Sequence, residues 1–243
     1  MENDINKDVD VTILIPAYNE EVNIVKCIEQ TNDTMKKLNY KFEILVMENG
    51  STDKTFEILQ KLATKYENLY PFHLPIPNPS QALKEGYANA KGNTVVNLDV
   101  DLATDMRHMK ELLEYAKTYD LVTGSRYLDK SLVTRTYDRY VLSTIFNKIL
   151  IRGLLRSKIL DNNCGFRAIN RKMALNLIKD IEDDYVFGIV ELIIRAQRKG
   201  YKIKEFPVSW KENPRRITLK NIMRFLVPAL RLWVKLDIKR EKY

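Results

Sequence analysis

The pair of carboxylates at Asp99 and Asp101 has the clearest chemical meaning in this sequence. An apolar run that includes Val95 and Val96 ends abruptly in Asp99-Val100-Asp101. On an extended backbone, residues i and i+2 point to the same side, so the two carboxylates are expected to lie together. Two like charges at this separation repel each other unless a cation lies between them. A divalent metal that bridges to phosphate oxygens supplies that cation, whereas the plain alternative is two solvated carboxylates in a loop.

Polar segments also follow two earlier predicted strands. The strand at 11–15 is followed by Pro16-Ala17-Tyr18-Asn19-Glu20-Glu21, and the strand at 42–47 by Glu48-Asn49-Gly50-Ser51-Thr52-Asp53. Ligands of doubly wound sheets bind at the carboxyl ends of the strands, so these segments and the aspartate pair are expected to line one crevice. There Glu48 is predicted to accept hydrogen bonds from a base or a ribose, and Asp101 to hold a metal on a diphosphate.

Other common catalytic arrangements are disfavoured by the sequence. It contains neither a Gly-x-Gly-x-x-Gly segment nor a Gly-Lys-Ser/Thr loop, which argues against a dinucleotide-binding fold and a P-loop kinase. The two histidines, His73 and His108, lie in no nucleophile context, which argues against Ser-His-Asp catalysis. A metal is therefore the expected source of electrophilic assistance.

The elements that must position these residues alternate between strands and helices. Besides the strands already named, a short strand is predicted at 120–124. Helices are predicted from the Asn-Glu-Glu segment to about Leu38, from caps at Ser51 and Asp53 to about Tyr66, at 81–91 and at 106–117, with a proline-rich loop at 71–79. This alternation predicts an α/β fold with a doubly wound, mostly parallel sheet. No internal repeat or low-complexity linker divides the chain, so a single domain over 1–243 is expected.

The composition narrows the partners. The chain has 243 residues, and 40 Lys and Arg against 32 Asp and Glu give a formal charge of +8. This balance suits anionic partners, although nucleic acid is not favoured because the basic residues form neither an arm nor a known binding motif. Two cysteines are too few for a disulfide framework, so a reducing compartment is expected, with Cys27 packed in a helix. The polar N-terminus resembles no signal peptide, and no apolar run reaches the 18 residues of a membrane span.

Two segments of the second half are amphipathic. Residues 139–160 place apolar side chains on one side and basic ones at spacing four on another, and residues 219–238 repeat the pattern. In the second segment the basic positions that cluster on a helical wheel are Lys220, Arg224, Arg231 and Lys235. Two interpretations stand: ordinary helices packed on the core, or helices lying in a membrane interface with basic residues at the headgroups. The width of the apolar sectors and the scarcity of acids favour the membrane.

These residues together carry a resemblance to a known family. The first half, with VTILIPAYNEEVNI, VMENGSTDKT and ALKEGYANAKGNTVVNLDVDL, resembles the nucleotide-sugar-binding half of family-two glycosyltransferases, which have the GT-A fold. The segments GSRY, DNNCGFRAINR and ELIIRAQRKGYKIKEFPVSWKENPRR are similar to those of polyprenyl-phosphate hexose synthases, the dolichyl-phosphate mannose synthases and their glucose-transferring cousins. The match follows nearly the whole chain in order. It implies a donor-binding half at 10–130, an acceptor half at 131–215 and a basic C-terminal helix at 216–243.

The resemblance implies a set of donor-site residues. The loop that holds the nucleotide corresponds to Pro16, Ala17, Tyr18 and Glu20. Glu48 takes the place of the aspartate expected to contact the base, and Asn49 replaces a second aspartate. Asp99 and Asp101 match the pair that holds Mg²⁺ or Mn²⁺ on the diphosphate, with Asp99 serving the metal or the donor's ribose and sugar.

The resemblance also implies acceptor-site residues. Arg126, Arg139 and Ser143 match positions that grip the lipid phosphate. Separately from these, Arg215 and Arg216 fall on a mobile C-terminal loop that is expected to close over the donor, and its usual Gly-x-Ser-Lys is here Arg-Arg-Ile-Thr. Two further carboxylates match the family without a defined role, and each also has a structural interpretation: Asp161 as a cap of the turn before Cys164, and Glu191 as the partner of a buried arginine. A surface ion pair is the structural alternative for Arg126 and Arg139.

The function implied is an inverting transfer of a hexose, with mannose favoured, from GDP-mannose or a UDP-hexose to a polyprenyl or dolichyl phosphate. The enzyme is expected to be metal-dependent and peripheral, on the cytoplasmic face of a membrane, without a transmembrane helix and without a nucleic-acid partner. Trp210, in the segment VSWKE, is weakly similar to the corresponding part of the glucose-transferring enzymes. The alternatives are transfer of glucose or another sugar, transfer to a soluble glycan or protein, and a nucleotide-binding regulatory module without turnover.

Overall fold

The computed structural model describes residues 9–129, 132–134, 146–182, 187–211 and 219–239. A seven-stranded sheet of order β3-β2-β1-β4-β7-β5-β8 forms its centre, and a two-stranded sheet pairs β6 with β9. The strands are β1 (Val11–Ala17), β2 (Phe42–Asn49), β3 (Leu69–Leu74), β4 (Thr94–Asn97), β5 (Leu121–Ser125), β6 (Val133–Thr134), β7 (Arg167–Asn170), β8 (Ile203–Pro207) and β9 (Trp210–Lys211).

Helices pack on both sides of this sheet. The α-helices are α1 (Ile24–Lys37), α2 (Thr55–Lys65), α3 (Pro79–Asn89), α4 (Met109–Ala116), α5 (Arg171–Leu177), α6 (Gly188–Arg198) and α7 (Leu219–Trp233). Single 3₁₀ turns precede α4 (Met106–His108) and follow α5 (Ile178–Asp180), and two segments, Phe146–Leu154 and Val234–Ile238, are wound as π-helix.

The predicted α/β fold with a mostly parallel sheet is confirmed. Strands β3, β2, β1 and β4 are parallel neighbours, β5 pairs in parallel with β8, and β7 alone runs antiparallel, between β4 and β5. Successive residues of β1 point to opposite faces, so Ile13 and Ile15 join a core with α1, α2 and α4, while Leu14 joins a second core with α3, α5 and α6. Cys27 packs in the first core as predicted, and burial raises the pKa of its thiol to about 12.

Three local predictions were wrong. The first helix begins at Ile24, because residues 18–23 form turns instead of its first turn. The proline-rich segment contains β3, which accommodates Pro71 because it is the edge strand of the sheet. Ser51 does not cap α2, since its Oγ accepts the amide of Asn19, although Asp53 does accept the amide of Thr55.

A third apolar cluster holds the C-terminal helices against the body. Its buried members are Ile151, Leu155, Phe187, Val190, Ile194, Ala229, Leu232 and Leu236. The predicted helix 139–160 is described only from Phe146, and it ends at Leu154. The C-terminal helix therefore packs on the core along one side. Within the described ranges, no helix is long and apolar enough to cross a membrane.

Candidate functional site

The loops that follow β1 and β2 are bound to each other by hydrogen bonds. The amide of Asn19 donates to Ser51 Oγ at 2.9 Å, and the amide of Thr52 donates back to Asn19 Oδ1 at 2.8 Å. The amide of Glu20 donates to Thr55 Oγ1 at 2.8 Å. Asn19 has a φ of 54°, a left-handed conformation that asparagine tolerates better than most residues. The two polar segments predicted to line one crevice are thus brought together at the carboxyl edge of the sheet.

The predicted donor loop occupies the end of β1. Pro16 and Ala17 are the last residues of the strand, and Ala17 pairs in register with Glu48. The Tyr18 side chain beyond them is 47% exposed, so its ring is accessible to a ligand. Glu20 is half-buried further along the loop, and its Oε2 accepts a hydrogen bond from the side chain of Asn23 at 2.8 Å.

Glu48 is completely buried at the end of β2. Its Oε1 accepts the amide of Ser51 at 2.5 Å, and its Oε2 is hydrogen-bonded to Nδ1 of His73 on the neighbouring strand β3. Both oxygens of the carboxylate predicted to contact the base are therefore bound within the protein. Sequence reasoning missed His73 because its segment was assigned to a loop; recognition of β3 and its register would have placed His73 opposite Glu48.

Asp99 and Asp101 lie in a turn and not on a strand. Strand β4 ends at Asn97, and the amide of Leu102 donates to the carbonyl of Asp99 at 3.1 Å to close the turn. Asp101 is half-buried and its Oδ1 accepts the amide of Ala103 at 3.1 Å, whereas Asp99 is exposed. The expected strand geometry was wrong, but the turn still places both carboxylates at the carboxyl end of β4, beside the loop of β1.

A glycine supports the Asp99 carboxylate from the segment before β7. A Cβ atom added to Gly165 would lie 2.0 Å and 2.2 Å from the two oxygens of Asp99, so the carboxylate packs directly on the glycine backbone. Behind this backbone, Arg167 is buried and its Nη2 donates to the carbonyl of Cys164. The structure thus assigns Gly165 a role that sequence reasoning missed, although the residue stands within a segment that carries the family resemblance.

Arg126 is held by a fully buried carboxylate. Its backbone amide, Nε and Nη2 all donate to Asp161, at 3.0, 2.6 and 2.8 Å. Burial alone would lower the pKa of Arg126, but the charge of Asp161 raises it above its usual value. Burial likewise acts to raise the pKa of Asp161, and the charge and hydrogen bonds of Arg126 bring it below its usual value. Both groups are charged at neutral pH.

Glu205 and Trp210 contact the two members of this ion pair. Glu205 on β8 accepts the amide of Asp161 at 2.7 Å and that of Leu160 at 2.9 Å, and burial raises the pKa of Glu205. The Arg126 guanidinium lies 5.1 Å from the centre of the Trp210 ring, a cation–π contact. Asp161 also caps its own turn, since its Oδ1 accepts the amide of Asn163 at 3.3 Å. Asp161 therefore caps its turn, as the structural interpretation predicts. It also pairs with Arg126, from which it accepts more hydrogen bonds than from the turn.

Glu191 contacts an arginine of its own helix. It is buried in α6, and its Oε1 binds Arg195 one turn later at 2.7–2.8 Å. The structural interpretation, a partner for a buried arginine, describes this geometry. The acceptor-site predictions Arg139 and Ser143 lie outside the described residues, and so do the predicted mobile-loop residues Arg215 and Arg216.

The carboxylate pair fits a divalent cation that a ligand helps to coordinate. Across the described ranges, no cluster of three or more His, Cys, Asp or Glu side chains is arranged to hold a metal. Asp99 and Asp101 supply hard oxygen donors from one turn, and Mg²⁺ typically takes one or two carboxylates and completes its shell with phosphates and water. The residues present therefore fit a metal that arrives together with a diphosphate.

A cavity lies on the flank of this site, beside the turn that carries Asp101. Its volume is about 880 Å³, and its walls come from the end of α1, from 102–107 and 110, and from the β9 region with Trp210. Asp99, Asp101 and Glu48 are not in its walls. It opens directly beyond the turn that carries Asp101, since Leu102 and Ala103 belong to its lining.

Comparison with known proteins adds the family context. Residues 12–178 match the family model described as "Glycosyl transferase family 2". Glycosyltransferase AglD of Haloferax volcanii is 35% identical over 240 residues, which are 95% of this chain but 38% of AglD. The dolichyl-phosphate beta-glucosyltransferase ALG5D of Trichomonas vaginalis is 28% identical over 92% of this chain and 73% of its own length. The dolichyl-phosphate beta-glucosyltransferase of Saccharomyces cerevisiae is 26% identical over 85% and 68%.

Solved structures show the same fold. Glucosyl-3-phosphoglycerate synthase from Mycobacterium tuberculosis in complex with UDP superposes with a TM-score of 0.67 at 20% identity, over 95% of this chain and 81% of that one. A structure of the same synthase with Mn²⁺, UDP-glucose and phosphoglyceric acid has a TM-score of 0.67 at 18% identity, over 95% and 80%. At this identity the likeness establishes a shared architecture. The chain spans about two fifths of the length of AglD, and about two thirds to three quarters of the glucosyltransferases named above.

Proposed function

This chain belongs to glycosyl transferase family 2, and we propose that it transfers a glucosyl group from UDP-glucose to the phosphate of a polyprenyl lipid of the dolichyl type. The observation that carries the proposal is the meeting of three strand-end segments, those of β1, β2 and β4, at one edge of a sheet with this family's fold. The names of two relatives specify glucose and dolichyl phosphate. They support glucose over mannose, the sugar that the sequence resemblance favoured.

The donor half of the site follows from this edge. Asp99 and Asp101 would hold Mg²⁺ or Mn²⁺, and such a metal would neutralise the charge that develops on the departing nucleoside diphosphate. The exposed ring of Tyr18 is assigned to the nucleoside, beside the buried end of β1. The support for a divalent ion is the oxygen donor set of the turn, together with the Mn²⁺ complexes of the synthase that shares the fold.

The acceptor half is assigned to the Arg126 region. The lipid phosphate is already anionic at neutral pH and is itself the nucleophile, so no strong general base is needed. Asp161 binds Nε and Nη2 of Arg126 and thereby fixes the plane of the guanidinium. The remaining Nη1 is the atom that we assign to the acceptor phosphate, where it would hold the nucleophile in line with the anomeric carbon. The contact of Arg139 and Ser143 with the lipid phosphate is proposed from the family resemblance alone.

A membrane surface is the proposed location of the reaction, because the acceptor's chain lies in the bilayer. One side of α7 packs on the core, while Val227 and Leu230 on the same helix are 46% and 43% exposed, next to the exposed Arg231. Lys235, predicted to face headgroups, instead pairs with Glu182. We therefore propose that the membrane contact is made by the narrower apolar strip at 227 and 230, on the cytoplasmic face.

A donor and acceptor screen tests the proposal. Purified protein is incubated with UDP-glucose, GDP-mannose or UDP-N-acetylglucosamine, with Mn²⁺ or Mg²⁺, and with polyprenyl phosphate in detergent or a water-soluble glycan acceptor. Mass spectrometry of the lipid should show a hexosyl phosphate formed from UDP-glucose. Transfer to the soluble acceptor alone would favour the alternative of a soluble glycosyltransferase, and nucleotide binding without any transfer would favour a regulatory module.

A further inference from the structure

The carboxylate that the family pattern assigns to the donor base is buried in this structure. The pattern places a carboxylate at position 48, but here that carboxylate is 0% exposed and both of its oxygens are hydrogen-bonded within the protein. One oxygen accepts the amide of Ser51, and the other is paired with Nδ1 of His73. A group without solvent contact is poorly placed to hydrogen-bond an entering base, so a neighbour must do so.

His73 has the position and the exposure that Glu48 lacks. It lies opposite Glu48 in the parallel register of β2 and β3, and its side chain is 44% exposed. One face of the ring packs on Phe56, with centroids 4.7 Å apart and planes inclined by 34°. Because Nδ1 is turned to a fully buried carboxylate, the accessible part of the ring is the opposite edge, which carries Nε2.

The pairing bears on which ring nitrogen can accept a hydrogen bond. The imidazole tautomer that donates Nδ1–H to the Glu48 carboxylate carries a lone pair on Nε2. That lone pair is complementary to an imino N–H such as the N3–H of uracil. The strand order β3-β2-β1-β4 places His73 three strands from the aspartate turn, roughly 14 Å at ordinary strand spacing. A nucleoside diphosphate laid along this edge would have its base at β3 and its phosphates at β4.

We propose that His73 is a specificity-determining residue for the donor: its Nε2 accepts the imino N–H of the base, and Glu48 is a positioning residue that sets the tautomer of His73. The inference rests on the proposed function, because it assumes a nucleoside-diphosphate donor at this edge. It selects a uracil-type base over cytosine, which has no imino N–H at that position.

Calorimetric binding of UDP and of N3-methyl-UDP, in the presence of Mg²⁺, tests the contact directly. The wild-type protein should bind UDP at least about tenfold more tightly than N3-methyl-UDP, the effect of one lost hydrogen bond to a well-placed acceptor. His73→Phe keeps an aromatic ring against Phe56 and should weaken UDP binding by about tenfold while removing the preference for UDP. Phe56→Leu is the matched control, and it should retain the preference because Nε2 is unchanged.

A second measurement needs no substitution at His73. Nitrogen-15 NMR of the histidine ring in the wild-type protein should show the Nδ1–H tautomer, and Glu48→Gln should shift the tautomer ratio and weaken UDP binding. Protonation at Nε2 in the wild-type protein overturns the inference, and so does a His73→Phe variant that still prefers UDP to N3-methyl-UDP. Failure of the wild-type protein to bind any nucleoside diphosphate would instead refute the proposed function.

Discussion

Asp101 combines partial burial with a hydrogen bond that fixes its carboxylate, since its Oδ1 accepts the amide of Ala103. We expect Asp101→Asn to lower transfer by at least about 10²-fold, as for the loss of one preorganised electrostatic group at a reacting centre. Glu57→Gln is the control, because Glu57 is an exposed carboxylate on α2 paired with Lys61. Initial rates at saturating donor measure both variants, and an Asp101→Asn variant as active as the control would contradict the metal assignment.

Gly165 packs against the carboxylate of Asp99, the other member of the pair. A methyl group at this position would overlap the oxygens of Asp99, so Gly165→Ala should displace the carboxylate and raise the Mn²⁺ concentration needed for half-maximal transfer. Overpacking of this kind also costs about 1–3 kcal/mol of the free energy of unfolding. The metal requirement is measured by titration of the activity with Mn²⁺.

Gly200→Ala separates these two effects. Gly200 has a φ of +79° and open space around its Cβ position, so alanine there costs stability by backbone strain, away from the aspartate turn. The metal requirement of this control should match the wild-type protein. An equal change in both variants would show that Gly165 acts on stability alone.

The Arg126–Asp161 pair makes a prediction about pH. Because the pKa of Asp161 is lowered in the folded protein, the pair stabilises the fold above the unfolded-state pKa of about 3.9, and this contribution is lost as the pH falls below it. Asp161→Asn should therefore lower the free energy of unfolding by about 3 kcal/mol at pH 7, and by progressively less below about pH 4. Urea unfolding at several pH values measures this difference. The exposed Asp33 on α1 offers the control Asp33→Asn. A difference for Asp161→Asn that does not vary with pH would contradict the stabilising role of the ionised Asp161.

Among the elements, α7 joins the body of the protein to the proposed membrane contact. Val227→Glu combined with Leu230→Glu places two charges on its exposed strip without touching the buried side at Ala229 and Leu232. The double variant should keep its fold, by circular dichroism, but lose flotation with vesicles that contain anionic lipid. Tyr70→Glu, an exposed aromatic on the edge strand β3, is the control and should float like the wild-type protein. Flotation of the double variant at the wild-type level would show that α7 serves only the core.

The strands of the first half were predictable because their apolar runs are short and each ends in polar residues. β3 was missed because prolines and exposed residues interrupt it, and edge strands carry a weaker pattern than buried ones. The antiparallel β7 was not foreseen either, since strand direction depends on tertiary pairing and not on local periodicity. The same limit explains why the amphipathic pattern at 219–238 was open to two interpretations: the helix is half core and half surface, so both patterns are present in one segment.

The segments that form the site were predictable from the sequence, but the side-chain contacts within the site were not. Asp99, Asp101 and Glu48 stand in segments that follow strands, and the fold brings those segments to one edge as expected. The hydrogen bond from Glu48 to His73 and the packing of Asp99 on Gly165 both join positions distant along the chain. Such contacts depend on the register of the sheet and on the course of the chain before β7, which no local motif encodes.

At the scale of the whole molecule, the two proposed substrates occupy different regions. The edge from β3 to β4 takes the nucleotide, the Arg126–Asp161 pair lies beyond it, and α7 presents an exposed apolar strip. A formal charge of +8 suits both a diphosphate donor and an anionic lipid surface, and it implies that vesicle binding weakens as salt increases. A reaction between a soluble donor and a lipid acceptor requires such a division.

A competition between donors tests whether the protein transfers glucose from UDP-glucose to a lipid phosphate. Vesicles that contain polyprenyl phosphate are incubated with the protein, Mn²⁺, and equal concentrations of UDP-glucose and GDP-mannose that carry different isotope labels. The lipid fraction, analysed by mass, should contain the glucose label on polyprenyl phosphate, and Asp101→Asn should lower its amount by at least about 10²-fold. A lipid product that carries the mannose label would contradict the sugar assignment. A lipid fraction without sugar, beside a glycosylated water-soluble acceptor, would contradict the central claim that the lipid phosphate is the nucleophile.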